Sequence, residues 1–292
     1  MTASHIHRMF FASRSLRSAQ SRLRLLWEHG YLNRCFITES SGGAEILSAK
    51  SRQPVYHLSK LGRCYLEKQE QKYLNFGVRG IPYRSVGVAA LDHHLLTTDF
   101  LVSLCLALKE EDGIALQEAV GEAVLWRRLA VWKKGHRREK TLVPDGGFTL
   151  CYPGNGEPCS FFLEIVRSGV KGGNRQLLKK LSDYVKLHHQ GFFREAYGSY
   201  RLRAVVIVTS TRTRAEHFRA LAQTLPYGRG LFWFGTYQAE KEKAEENRAG
   251  GENALRNTLT AESILDSRFQ DVAGAWRSLK EPEHLERSLQ TL

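Results

Sequence analysis

Residues 203–210, RAVVIVTS, form an apolar run closed at both ends by charged or polar residues. The run does not alternate and is far too short to span a membrane, so it reads as a strand covered on both faces, of the kind found inside a parallel sheet. Such a strand needs helices packed on it. NRQLLKKLSDYVKLHHQG before it and TRAEHFRALAQTL after it have helical period, and GLFWFGTY reads as a further strand. Upstream stand PDGGFTLCY and SFFLEIV, both strands, and GEAVLWRRLAVW, which is strand-like. A long helix, LDHHLLTTDFLVSLCLALKEEDG, precedes them, apolar on one side and ending near Gly113. The order helix, three strands, helix, strand, helix, strand predicts a mixed-sheet α/β (α+β) domain over residues 91–237.

A chain of 292 residues has room for one large or two modest domains, and 42% hydrophobic residues suffice for packed cores. The five cysteines form no C-x-x-C pair and no closely spaced framework, which argues against structural zinc and a disulfide scaffold. No apolar run is long enough for a membrane span, and MTASHIHRMFF lacks the features of a signal peptide. The expectation is a soluble cytoplasmic protein with reduced thiols.

The formal charge is +13 and unevenly placed. Residues 1–68 carry 11 Lys and Arg against 4 acids, and residues 127–140 carry 7 against 1. Together these zones account for the whole excess. Clustered cations suit a phosphate backbone, because binding releases condensed counterions; general solubility charge is the alternative.

The first zone reads as a helix-turn-helix with a wing, within a domain over 1–75. Thr2 caps a helix reaching Phe11, with Ile6, Met9 and Phe10 on its apolar side. A second helix runs from Ser15 to His29, with Ala19, Leu23, Leu26 and Trp27 inward and Gly30 at its left-handed end. Its outer face carries Arg14, Arg17, Gln20, Ser21 and Arg24, side chains able to reach base edges and phosphates. LNRCFIT and PVYHLS are the wing strands around a flexible SSGGAE tip, and a helix from Lys60 to Leu74 follows. A winged helix ordinarily has one more helix in front, so either the start lies upstream or a later helix takes that position. A small helical domain with solvated arginines is the alternative. Residues 76–90 read as a linker, and 238–292 as a charged insertion with a helical tail.

The chemistry centres on Pro144-Asp145 and Glu164, on the two strands of a hairpin turning through YPGNGEPC. Two carboxylates side by side suit Mg²⁺ or Mn²⁺ in phosphodiester cleavage. The same residues also fit a surface hairpin with two unrelated acids, Glu164 pairing with Arg167. In the basic segment, aromatics interleave with Arg127, Arg128, Lys133, Lys134, Arg137 and Arg138, as single-strand binding requires. Arg212 and Arg214 could clamp a phosphate or face water. The pairs His93-His94 and His188-His189 point apart on a helix and are poor chelators.

The PD…E pattern within α-β-β-β-α-β resembles the PD-(D/E)XK nuclease superfamily. More narrowly, the chain resembles the replication-relaxation family of plasmid and conjugative-element mobilisation proteins. The resemblance rests on RLRLLWEHGYLNR, VYHLSKLG, HHLLTTDFLVSL, VPDGGF, FFLEIVRSG, LLKKLSDYV and VVIVTSTRTR. It implies a winged helix joined to a nuclease-like domain, with Asp145 and Glu164 as metal-binding acids. It further implies roles for Lys180 and Tyr184 on the following helix, and for His94 and Asp99 on the preceding one, Asp99 as a further metal ligand. The position two after Glu164, ordinarily lysine, is Val166. A lysine relocated to the helix would replace it. Leu177, Leu181 and Val185 mark the buried stripe, so Lys180, four before Tyr184, is favoured over Lys179 as the inward one, unless both are solvated. Tyr184 is either a transesterification nucleophile or a core residue.

The expected function is recognition of a transfer or replication origin, with metal-dependent nicking. The expected partners are double-stranded DNA, single-stranded DNA at a nick, and other relaxosome or mobilisation proteins. A non-catalytic DNA-binding accessory protein or repressor with a degenerate nuclease-like domain is the second reading, and Val166 favours it.

Overall fold

The computed structural model describes residues 1–36, 54–69, 88–126, 128, 142–153, 158–166, 173–189, 193, 195, 201–236, 264–265 and 269–280. The chain divides into two compact units, Met1–Val102 and Ser103–Leu292.

In the first unit, helix α1 spans Ala3–Phe10 and α2 spans Leu16–Glu28. Thr2 caps α1 reciprocally with His5: the His5 N–H donates to Thr2 Oγ1 and the Thr2 N–H to His5 Nδ1. Histidine thus serves where a capping box ordinarily uses Glu or Gln. Ser15 caps α2. The helix ends in a Schellman motif, with Gly30 and Tyr31 N–H groups donating to the Trp27 and Leu26 carbonyls and Gly30 at φ +76°. Ala19 and Leu23 are the buried positions of α2. Trp27, expected inward, is exposed, with the Arg34 guanidinium 3.7 Å from its ring centroid. Phe10 is exposed as well, because α1 buries Ala3 and His5 instead.

Strands β1 (Leu32–Phe36) and β2 (Pro54–Leu58) pair antiparallel as the wing reading requires, and Thr2 bridges to Val55 on the other side of β2. The SSGGAE tip lies outside the described residues. Helix α3 spans Lys60–Gln69, and α4 spans Val88–Glu110, of which the residues up to Val102 belong to this unit. Of the expected linker, residues 76–87 are outside the description and 88–90 already belong to α4. Leu91 and Leu95 of α4 pack on Val55 and Cys35. A later helix therefore packs on β1 and β2. Val102, Ser103 and Leu104 are all buried, so α4 is covered on more than the one side expected of it.

In the second unit, seven strands form one mixed sheet in the order β3 to β9. They are β3 (Ala115–Gly121), β4 (Gly146–Cys151), β5 (Cys159–Val166), β6 (Arg201–Thr209), β7 (Phe232–Thr236), β8 (Phe269–Asp271) and β9 (Trp276–Arg277). The pairs β3–β4 and β4–β5 are antiparallel, β5–β6 and β6–β7 parallel, and β7–β8 and β8–β9 antiparallel. Helix α5 (Gly173–His189) and helix α6 (Arg212–Gln223) share one core with Phe162, Val205, Ile207, Phe232 and Phe234 on one sheet face. Phe148 stacks on Phe161 from neighbouring strands, at 4.9 Å between centroids.

Two expectations shift here. The strand before the hairpin is Ala115–Gly121, while residues 122–126, read as strand-like, are helical. The edge strand β3 leaves polar side chains such as Gln117 and Glu118 along its length, so it lacks the apolar run that marks a covered strand. The tail, expected to be helical, supplies strands β8 and β9. Asp271 holds their turn, accepting from the Ala275 N–H and the Arg277 guanidinium, with Gly274 at φ +91°.

Candidate active site

Strand β5 lies where the antiparallel and parallel halves of the sheet meet, and every residue but Val166 is buried, so both its faces are covered. Alternation along it puts Glu164 on the face of Phe162, under α5. Glu164 is only 3% exposed. Helix α5 brings two donors from successive turns: Lys180 Nζ lies 2.5 Å from Glu164 Oε2, and the Tyr184 hydroxyl donates to Oε1. The stripe of Leu177, Leu181 and Val185 is buried, and this orientation turns Lys180 toward the sheet. Lys180 keeps 31% of its side chain exposed, whereas Tyr184 is fully buried. Both Glu164 oxygens thus have a donor.

Asp145, expected on a strand, follows Pro144 and stands one residue before β4. Its N–H donates to the Leu163 carbonyl at 3.1 Å, and its carbonyl accepts from the Glu122 N–H at 2.9 Å. Its Oδ2 accepts from the Ile165 N–H at 2.8 Å, so the side chain extends the ladder where the strand begins. The carboxylate is thereby fixed beside Glu164. Burial pushes the Glu164 carboxyl up to about 7, and the negative charge of Asp145 adds to the rise, against the opposing effects of Lys180 and Tyr184. For Lys180 burial acts downward, but the Glu164 and Asp145 charges outweigh it and the ammonium is held above its ordinary range.

Glu122 was not singled out from the sequence, yet its charge also raises Lys180 and its backbone is bonded to Asp145. Read as part of a strand, its position gave no sign of either relation.

A match to the replication-relaxation family model extends over residues 1–202, more than two thirds of the chain. The chain belongs to the replication-relaxation family. As a replication-relaxation protein it has a role connected with replication or mobilisation of DNA. No curated protein matches the chain. The match takes in the first unit and the whole Asp145–Glu164–Lys180–Tyr184 cluster, and stops at the start of β6.

The remaining site residues of this replication-relaxation protein are placed as follows. Asp99 lies in the first unit, where its Oδ1 accepts from Arg8 at 3.1 Å and from His5 Nε2 at 3.2 Å. Since His5 Nδ1 accepts from Thr2, the ring hydrogen sits on Nε2 and is donated to Asp99. Among the described residues, no three His, Cys, Asp or Glu side chains form a group suited to a metal ion. Arg14, Arg17, Gln20, Ser21 and Arg24 are all exposed on or beside α2, and Arg24 Nε is 2.7 Å from Glu28 Oε1. Arg128 forks onto Glu118, with Nη1 3.0 Å from Oε2. Arg127, Lys133, Lys134, Arg137 and Arg138 lie outside the described residues. No described helix is long and apolar enough to cross a membrane.

Proposed function

We propose that the protein binds DNA at a transfer or replication origin through the outer face of α2 and nicks it at the Asp145–Glu164–Lys180 cluster. The observation that carries this reading is the buried Glu164, flanked by Asp145 and gripped by Lys180 from the facing helix. A buried acid with a like charge beside it and a lysine against it is costly for folding and suits a reactive site. The arrangement supplies the lysine that Val166 cannot.

Asp145 and Glu164 fit a hard divalent cation such as Mg²⁺ or Mn²⁺. Asp145 immediately precedes β4 and Glu164 lies on the neighbouring β5, their mutual repulsion is one cause of the raised Glu164 pKa, and each carboxylate oxygen has a second lone pair. Such an ion would supply Lewis acidity to the scissile phosphate. Lys180, the partly exposed member, stabilises charge developing on the phosphate oxygens. Tyr184 donates to Glu164 and orients it; its full burial favours this role over nucleophilic attack.

A supercoiled plasmid carrying the cognate origin tests the reading. Nicking with Mg²⁺ or Mn²⁺, lost in Asp145→Asn and Glu164→Gln, is the expected result. Binding without nicking favours the second reading, a non-catalytic accessory protein or repressor, for which the hydrogen-bonded closure of Glu164 by Lys180 and Tyr184 speaks.

A further inference from the structure

The parallel strands β5, β6 and β7 end side by side at Val166, Thr209 and Thr236. In open α/β sheets, ligands are held beyond such carboxyl ends, where the following helices begin with unpaired N–H groups. β6 passes through Ser210 and the N-cap Thr211 directly into α6. The first turn of α6 holds no acid; Arg212 and Arg214 stand there instead, against the positive end of the helix dipole. Arg212 lies 3.1 Å from Glu216, one turn along. Arg214 has no such acid: its Nε is buried without a hydrogen-bond partner among the described residues, and its guanidinium lies 5.3 Å from the Phe218 ring centroid.

A second buried group in this turn is also unmatched. Thr209 is fully buried, and its Oγ1 has no hydrogen-bond partner among the described residues. It follows Val205 and Ile207 on the sheet face where Ala215 and Phe218 of α6 pack, so its side chain is directed into the layer beneath the opening turn of α6. Buried polar groups are ordinarily matched, and two unmatched ones within six residues call for a missing partner. Guanidinium, hydroxyl and helix N–H groups all donate. Their common complement is an anion with several acceptor oxygens.

We infer that the turn from Thr209 to Arg214 is a phosphate subsite, taking a phosphodiester group of the DNA backbone. The inference rests on the DNA-processing reading for the source of that phosphate. Thr209 is the register partner of Val166, two residues beyond Glu164 and on its face of the sheet. A phosphate held there lies beside the one presented to Asp145 and Glu164, and it fixes the strand for cleavage without touching the reacting atoms. Arg214 leaves Phe218 to grip it.

Two measurements on the full chain test this. In thermal unfolding, inorganic phosphate raises the wild-type midpoint over chloride at equal ionic strength, by about 2 °C or more. Arg214→Gln abolishes that rise. Thr209→Val, which removes the unmatched hydroxyl but keeps the shape, raises the midpoint in chloride and shrinks the phosphate effect; a purely structural hydroxyl would leave the phosphate effect unchanged. In DNA binding across a salt series, Arg214→Gln weakens affinity about tenfold and lowers the log–log slope by about 0.9 for duplex or 0.7 for single strands. Phosphate shifts equal in all three proteins, or a wild-type salt slope in Arg214→Gln, overturn the subsite. A chain that shows the Arg214-dependent phosphate shift yet binds no DNA overturns the proposed function and leaves the anion subsite standing.

Discussion

The ammonium of Lys180 lies 2.5 Å from Oε2 of Glu164, joining the second unit's first covering helix to the central strand of its antiparallel-to-parallel junction. Burial, with the charge of Asp145 beside it, sets a pH dependence that Lys180 only moderates. Glu164 is raised from 4.5 to about 7 in the folded chain, so between those values the native state holds a proton that the unfolded chain releases. Its contribution to stability is fully present below the unfolded value and is lost as pH rises through about 7. Urea midpoints measured across this range should fall with rising pH, and Glu164→Gln should flatten the curve. A curve unchanged by that substitution would assign the dependence elsewhere.

Tyr184→Phe removes the donor from Glu164 Oε1 while keeping the ring packed against Phe162. The expected cost is about 1–3 kcal/mol, as for a buried acceptor left unmatched. The pH midpoint assigned to Glu164 should also move upward, since one influence holding it down is gone. No covalent DNA–protein adduct should form in the wild type, because Tyr184 is fully buried. A wild-type adduct that disappears in Tyr184→Phe would restore the nucleophile role.

On α2, Arg24 is engaged with Glu28 and must leave that contact to reach a phosphate. Arg17→Ala should therefore reduce DNA affinity more than Arg24→Ala, with the salt slope falling by about one for the Arg17 variant. Glu28→Gln should strengthen binding by releasing Arg24 and removing a negative charge. Anisotropy titrations over a salt series give all three, and equal losses for the two arginines would contradict the ranking.

Asp99 ties α4 to α1 through Arg8 and His5. A double-mutant cycle with Arg8→Ala and Asp99→Ala should show a coupling of about 1 kcal/mol, appropriate to a partly exposed pair. Additive losses in chemical denaturation would show that the contact adds nothing.

Gly228 sits at φ +75°, and a Cβ there would lie 2.6 Å from Cγ2 of Val185 on α5. Gly228→Ala should destabilise by more than the roughly 1 kcal/mol of the backbone alone, because Val185 must also move. A thermal scan checks it.

Much of the architecture was legible because its signals are local. Thr2, Ser15 and Gly30 mark helix ends through bonds spanning a few residues, and the RAVVIVTS run identifies a covered strand by composition alone. The hairpin carrying Asp145 and Glu164 was legible for the same reason, and so was the inward side of α5, from its apolar stripe. β3 was misplaced because its polar residues Gln117 and Glu118 are adjacent, at a register shift that breaks the two-residue period. β8 and β9 were missed because strands of three and two residues acquire identity only from the β7 edge that hydrogen-bonds them.

By itself, then, the sequence determined the long helices and the covered strands, where the charge is concentrated and that two carboxylates share a hairpin, all matters of residue type and short spacing. Tertiary structure alone decided partnerships. It put Lys180 and Tyr184 on Glu164, Asp99 on Arg8, Arg24 on Glu28, and left Thr209 Oγ1 and Arg214 Nε without hydrogen-bonding partners among the described residues. A side chain's electrostatic partner depends on which elements pack together, and energies of that kind depend on distance in space and on the removal of water, neither of which sequence spacing records.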